Sequence, residues 1–169
     1  MSNRDQVYEG EFRVREMLER ANDYHNPAPD VTLFGTTVRL PPERKFASVE
    51  TIELYCNKVL ALPSIQEEFA NAKNPVRVRA RKGSSFAHYQ TGEIAIYMGD
   101  GGTSKWACRE IVVLHELAHH LGSDGHGPKF RHAFVKLVSA AMAPEMGFVL
   151  QACWHMEGVP DETREECYA

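Results

Sequence analysis

A chain of 169 residues, 43% hydrophobic and 25% charged, carries enough apolar side chains for one core and too little length for two full-sized domains. A formal charge of -4 excludes a general attraction to phosphate backbones or anionic lipid, so nucleic acid is not implied as a partner. The opening MSNRDQVYEGEFRVREM is charged throughout, and no stretch approaches the ~18 consecutive apolar residues of a membrane span, which points to a cytoplasmic protein without a membrane partner.

From Asp5 to Ala21, Val7, Val14, Leu18 and Ala21 recur among charges and predict an amphipathic helix, which Pro27 and Pro29 end. Val31 to Leu40, rich in Val, Thr, Leu and Phe around Gly35, reads as a strand pair or one bulged strand, closed by Pro41-Pro42. Ser48 is placed to cap a helix with Val49, Ile52, Cys56, Val59 and Leu60 along one side, stopped at Leu62-Pro63. Ser64-Ile65-Gln66-Glu67 fits a capping box and predicts a short helix to about Ala72 before the break at Asn74-Pro75.

Val76 to Arg81 alternates strictly, as an exposed or edge strand would, and its three arginines either contact phosphate or form a solvated outer face. Turns at Lys82-Gly83-Ser84-Ser85 and Gln90-Thr91-Gly92 then separate Phe86 to Tyr89 from Glu93 to Tyr97, which predicts an antiparallel meander. Met98 to Ser104 is a glycine-rich connector. Lys105 to Leu121 contains neither Pro nor Gly and predicts the most regular helix, with Gly122 as a left-handed cap. Pro128 opens a helix with Phe130, Phe134, Leu137, Val138 and Ala141 inward, and Pro144 a last one carrying Phe148, Leu150 and Trp154. Residues 1–159 form the domain and 160–169 an acidic, loose tail. Cys56, Cys108, Cys153 and Cys167 form no Cys-x-x-Cys pair and read as free thiols. The fold class is α+β: one domain with a small antiparallel or mixed sheet packed against helices, one of them buried and metal-binding.

The chemistry lies in VVLHELAHHLGSDGHGPKF, Val112 to Phe130. At about 100 degrees per residue, His115 and His119 project within about 40 degrees of each other, one turn apart, and can share an ion. Leu114, Leu117 and Leu121 lie opposite, so the helix is buried along most of its circumference, and two buried imidazoles need partners. Glu116 is too oblique to be an ideal ligand but can reach a water on that ion, which is the physical content of the His-Glu-x-x-His motif. His126 is the third ligand: Gly125 and Gly127 beside it allow the backbone to turn back within a few residues. Asp124 is too short, and His120 points about 100 degrees away from His119. Metzincin spacing would put the third histidine at 125, where a glycine stands. Met142 and Met146 read as core, with a floor beneath the metal as the alternative. A further donor must stabilise the oxyanion, and His88 and Tyr89 are the candidates, because the Phe86 to Tyr97 meander immediately precedes the metal helix and could line the cleft, against a surface histidine and a packed tyrosine. Val76 to Arg81 or Glu93 to Tyr97 could bind an extended peptide as an edge strand.

HELAHH followed by DGHGPKF resembles the SprT-like zinc metallopeptidases, and LPPERKFASVE, RVRARKG, AHY and WACREIVVLHELAHHL are similar to a family of small zinc metallohydrolases of actinobacteria and their phages. The likeness runs from about Val7 to Leu150. It implies a zincin-like fold, Zn2+ held by His115, His119 and His126, and Glu116 as general base. No cysteine ribbon follows and the C-terminus is acidic, so DNA-dependent proteolysis is not carried over. The expected function is a zinc-dependent hydrolase with a peptide or protein substrate. The alternative is a zinc-containing binding or accessory module without proteolytic activity, for which Glu116 has no use.

Overall fold

The computed structural model describes residues 2–83, 86–99, 108–161 and 164–168. Helix α1 is Asn3–Ala21, opened by a capping box in which the Ser2 hydroxyl accepts from the Asp5 N–H at 3.2 Å and the Asp5 carboxylate accepts from the Ser2 N–H at 3.1 Å. A hairpin of β1 (Asp30–Leu33) and β2 (Thr36–Arg39) follows, the strand pair of the two readings above. Helix α2 (Val49–Leu60) is capped by Ser48 as expected. Helix α3 (Pro63–Glu68) departs from the capping-box reading: Leu62 is its N-cap, Pro63 occupies the first turn, and Ser64 lies inside the helix. Proline needs no partner for the amide it lacks and its φ is already helical, so it starts the helix two residues earlier than a Ser64 cap would. A 3-10 turn, Ala70–Lys73, ends this region.

Three short strands, β3 (Arg77–Ala80), β4 (Ala87–Gln90) and β5 (Glu93–Ile96), form a sheet in the order β3-β5-β4. The antiparallel pairing of β4 with β5 is as expected, but the meander is not completed: β5 is central and β3 lies parallel to it instead of pairing with β4. Composition explains the exchange. Ile94, Ala95 and Ile96 are all buried and suit a strand covered on both faces, whereas β3 alternates exposed arginines with an inward Val78. The outer edge of β3 is covered by α2, because Asn57 exchanges two hydrogen bonds of 3.0 Å with the Val76 backbone and Glu53 accepts from the Val78 N–H at 2.9 Å. Neither β3 nor β5 can thus take up a peptide strand. Arg79 is bound to Glu93 at 2.6 Å, across the sheet, so one of the three arginines of the stripe is ion-paired within the sheet.

Helices α4 (Glu110–Leu121), α5 (Pro128–Ala141) and α6 (Pro144–Met156) complete the core, which joins α1, α2 and both sheets in one apolar cluster. Helix α4 begins later than expected. Residues 105–107 lie outside the described residues, and Arg109 makes a bridge to Lys45 instead of a helical turn. Glu43 accepts from Arg109 Nε at 2.9 Å and from the Ile111 N–H at 3.1 Å, so a carboxylate from a distant segment caps the first turn. The tail is not wholly loose: residues 164–168 form a short helix α7, whose Tyr168 hydroxyl donates to Glu68. Among the described residues no helix is long and apolar enough to cross a membrane.

Gly122 ends α4 in an extended conformation, φ -119 and ψ 115, not the left-handed one expected. Its reason for being glycine is proximity, since a Cβ there would lie 2.5 Å from the Lys129 carbonyl and 2.6 Å from the Phe130 nitrogen. Gly122→Ala must push α5 away from α4. It should cost about 1–3 kcal/mol, the usual range for forced overpacking, read as a lower midpoint in urea unfolding with an unchanged slope.

Candidate metal and active site

Helix α4 brings its paired histidines to one face, and the loop after it returns His126 to them. The ligand-capable nitrogens of His115, His119 and His126 all lie within 4.8 Å of one another. The His115 and His126 Nε2 atoms are 3.4 Å apart. Two nitrogens at tetrahedral angles on zinc, each ~2.05 Å away, would be separated by about 3.3 Å, so this pair has the spacing an ion requires.

The loop is held by side chains on both sides. Asp124, set aside as a ligand, accepts from the Lys129 and Phe130 N–H groups, both at 2.9 Å, and so caps α5. Gly127 has an ordinary φ of -77; it is glycine because a Cβ would meet the Asp124 carboxylate at 2.5 Å. Gly125 does take a positive φ, +69. The buried Arg131 donates to the His126 carbonyl at 2.9 Å. Phe130 packs against all three imidazoles, with ring centroids 4.9, 4.4 and 4.8 Å from those of His115, His119 and His126. The apolar floor is therefore Phe130; Met146 is in the core and Met142 packs against it.

The sequence reading missed the wall supplied by α1. Arg4, Tyr8, Glu11 and Arg15 recur at helical spacing beside the apolar stripe that meets α6, and line the cleft. Glu11, 2% exposed, accepts from His115 Nδ1 at 2.9 Å. That bond places the proton on Nδ1 and leaves the Nε2 lone pair for a metal, the usual role of a carboxylate behind a histidine ligand. Tyr8 stacks over His115, with centroids 5.9 Å apart, and lies 4.9 Å from His126. The only local signal for this wall was a polar stripe adjoining an apolar one.

Burial, reinforced by the positive charge of His115, lowers the pKa of His119 to about 3 and that of His126 to about 4, so both present lone pairs at neutral pH. Burial also disfavours a proton on His115, but Glu11, helped by Glu116, more than offsets it and the pKa is raised. Burial raises the Glu116 carboxyl above the ordinary range, against the opposing pull of His115 and His88. Three imidazoles with a carboxylate behind one of them form a donor set that suits zinc.

Of the candidate donors, His88 is exposed on β4, lines the cavities on both sides of Glu116 and acts on it electrostatically. Tyr89 is placed differently. Its hydroxyl meets His120 Nδ1 at 3.0 Å and accepts from the Gly92 N–H at 2.9 Å, so its polar end is engaged away from the three imidazoles. His120 in turn donates from Nε2 to the Asn74 carbonyl at 2.7 Å, a structural role that ties α4 to the 3-10 turn. Strand β4 is an edge of its sheet, and its residues Ala87 to Gln90, unlike those of β3 and β5, line the cavity over the three imidazoles. No family model matches the chain, and no curated protein or solved structure matches it significantly.

Proposed function

We propose that this chain is a zinc-dependent hydrolase of zincin-like arrangement, acting on a peptide or other amide bond. The observation that carries this reading is the convergence of His115, His119 and His126 beside a second buried carboxylate, Glu116, while Glu11 already serves His115. Bound by His115, His119 and His126, zinc would supply Lewis acidity, polarising a carbonyl and easing the loss of a proton from water near pH 7.

The residues of the chain do the rest. Glu116 takes the proton of the attacking water on a carboxylate oxygen and returns it to the departing nitrogen, a dual task suited to a carboxyl raised by burial. The open edge of β4 offers an extended substrate a strand to pair with. Tyr8 on one wall and His88 on the other are the side chains placed to meet an oxyanion, since the Tyr89 hydroxyl is engaged with His120.

Metal analysis of the purified chain with an unbiased peptide-cleavage screen tests the reading. The expected result is one zinc per chain and cleavage that a chelator stops and added zinc restores. Zinc without cleavage of any peptide would instead favour a binding module.

A further inference from the structure

The His115–His119, His115–His126 and His119–His126 ring centroids stand 5.0, 5.3 and 4.8 Å apart, and other aromatic rings close around them. Phe130 enters from α5 and brings no polar atom. Tyr89 stacks on His119 with centroids 6.5 Å apart, but its hydroxyl is engaged with His120 and the Gly92 N–H. Tyr8 enters from α1 at the spacing the imidazoles keep among themselves, 4.9 Å from His126, and lies 5.9 Å from His115 with the two planes within 17°. It is half-buried and lines two cavities, the one over the three imidazoles and another of about 460 Å³ that continues past Glu116. Its ring is in contact with His115, His126 and the Arg4 guanidinium, yet its hydroxyl makes no hydrogen bond among the described residues.

A tyrosine packed by its ring usually has a partner for its O–H, and for Tyr8 that partner must come from whatever fills the cleft. The ring is held in place from its own helix. Arg4, one turn earlier, lies over it at 5.5 Å from the centroid, and Glu11, three residues later on the same stripe, fixes the His115 ring it stacks on through the 2.9 Å bond to Nδ1. His88, the other side chain facing the cleft, is exposed and makes no ring contact with the three imidazoles among the described residues, so neither its position nor its tautomer is set. We propose that Tyr8, and not His88, is the catalytic hydrogen-bond donor of the hydrolase: its hydroxyl donates to the carbonyl oxygen of the scissile bond as that oxygen gains negative charge. The phenol keeps its hydrogen throughout, and the proton transfers belong to Glu116. The assignment rests on the hydrolase reading, and makes one stripe of α1 responsible both for orienting a histidine and for receiving the oxyanion.

The test uses the full zinc-loaded chain and two probes that share a benzyl group. Benzylphosphonate is a tetrahedral anion with oxygens to spare for a donor, whereas benzyl mercaptan meets the metal through sulfur and offers no oxygen. Tyr8→Phe keeps the ring and its packing, so zinc content and mercaptan affinity should stay as they are while calorimetry finds phosphonate binding weaker by about 10–100-fold, the loss of one hydrogen bond to a charged acceptor. His88→Asn should leave the ratio of the two affinities unchanged. For any peptide that is cleaved, Tyr8→Phe should lower kcat by about 10²–10³ with little change in KM. An unaltered chain that does not bind the phosphonate, a ratio that survives Tyr8→Phe, an equal loss of both probes, or a ratio that falls in His88→Asn instead overturns the assignment, as does an effect on KM alone. A ratio that depends on Tyr8 in a chain that cleaves no peptide would leave the phenol standing as the donor to a bound oxyanion and remove the hydrolase reading instead.

Discussion

Glu116→Gln should keep one metal ion per chain and lose the proposed turnover. Glutamine has the size and shape of glutamate, so the surroundings of the three histidines stay as they are, and what disappears is a carboxylate able to accept a proton. General acid-base groups contribute about 10²–10⁴ in rate, so a loss of that size in kcat with unchanged zinc content is expected. Full activity in this variant would remove the general-base assignment and leave the site itself untouched. The metal-free chain carries a second signature. A carboxyl whose folded pKa is raised binds its proton more tightly when folded, so it costs stability as pH climbs above the unfolded value, near 4.5. Melts of the metal-free proteins should therefore find the glutamine variant increasingly the more stable of the two as pH rises from about 4.5 toward neutrality. A gap that widens as pH falls would mean that Glu116 is a paired structural carboxylate.

How much of this centre the sequence revealed depended on whether the cause was local. His115, Glu116 and His119 share one helical turn, and the apolar stripe of α1 and the Ser48 cap are also written within a few residues. Glu11 and His115 are 104 positions apart, and nothing near either one announces the other. The sheet order was misread for a related reason: turn residues mark where strands end, but whether β5 lies in the middle depends on which strand is apolar enough to be covered on both sides. Gly122 shows the same limit. A glycine after a helix suggests a left-handed cap, yet here a neighbouring backbone excludes the side chain, a constraint that exists only once α5 is in place. Tyr89 looked available for catalysis until His120, from another element, was seen to hold its hydroxyl. Local patterns set the candidates, and long-range contacts decided which of them are free to react.

That dependence sets apart two histidine substitutions that the motif alone would treat alike. His115→Ala and His119→Ala should both abolish stoichiometric zinc binding, but only the first should also weaken the fold of the metal-free chain. Glu11 is nearly inaccessible; its Oε2 meets His115 at 2.9 Å, its Oε1 has no hydrogen-bond partner among the described residues, and Arg15 is 3.9 Å away. Removing the His115 ring leaves a buried carboxylate without its hydrogen bond, at a cost of about 2–5 kcal/mol. Among the described residues His119 has no such carboxylate behind it, and its loss forfeits chiefly the stacking on Phe130, on the order of 1 kcal/mol. Urea unfolding of the two metal-free variants should thus differ in midpoint, and adding Glu11→Gln to His115→Ala should recover part of the loss. Glu11→Gln alone keeps all three imidazoles but loses the charged acceptor that fixes the proton on Nδ1, so zinc affinity should fall about 10–100-fold. Equal midpoints for the two alanine variants, with no recovery in the double, would mean that Glu11 is satisfied without His115 and does not orient it.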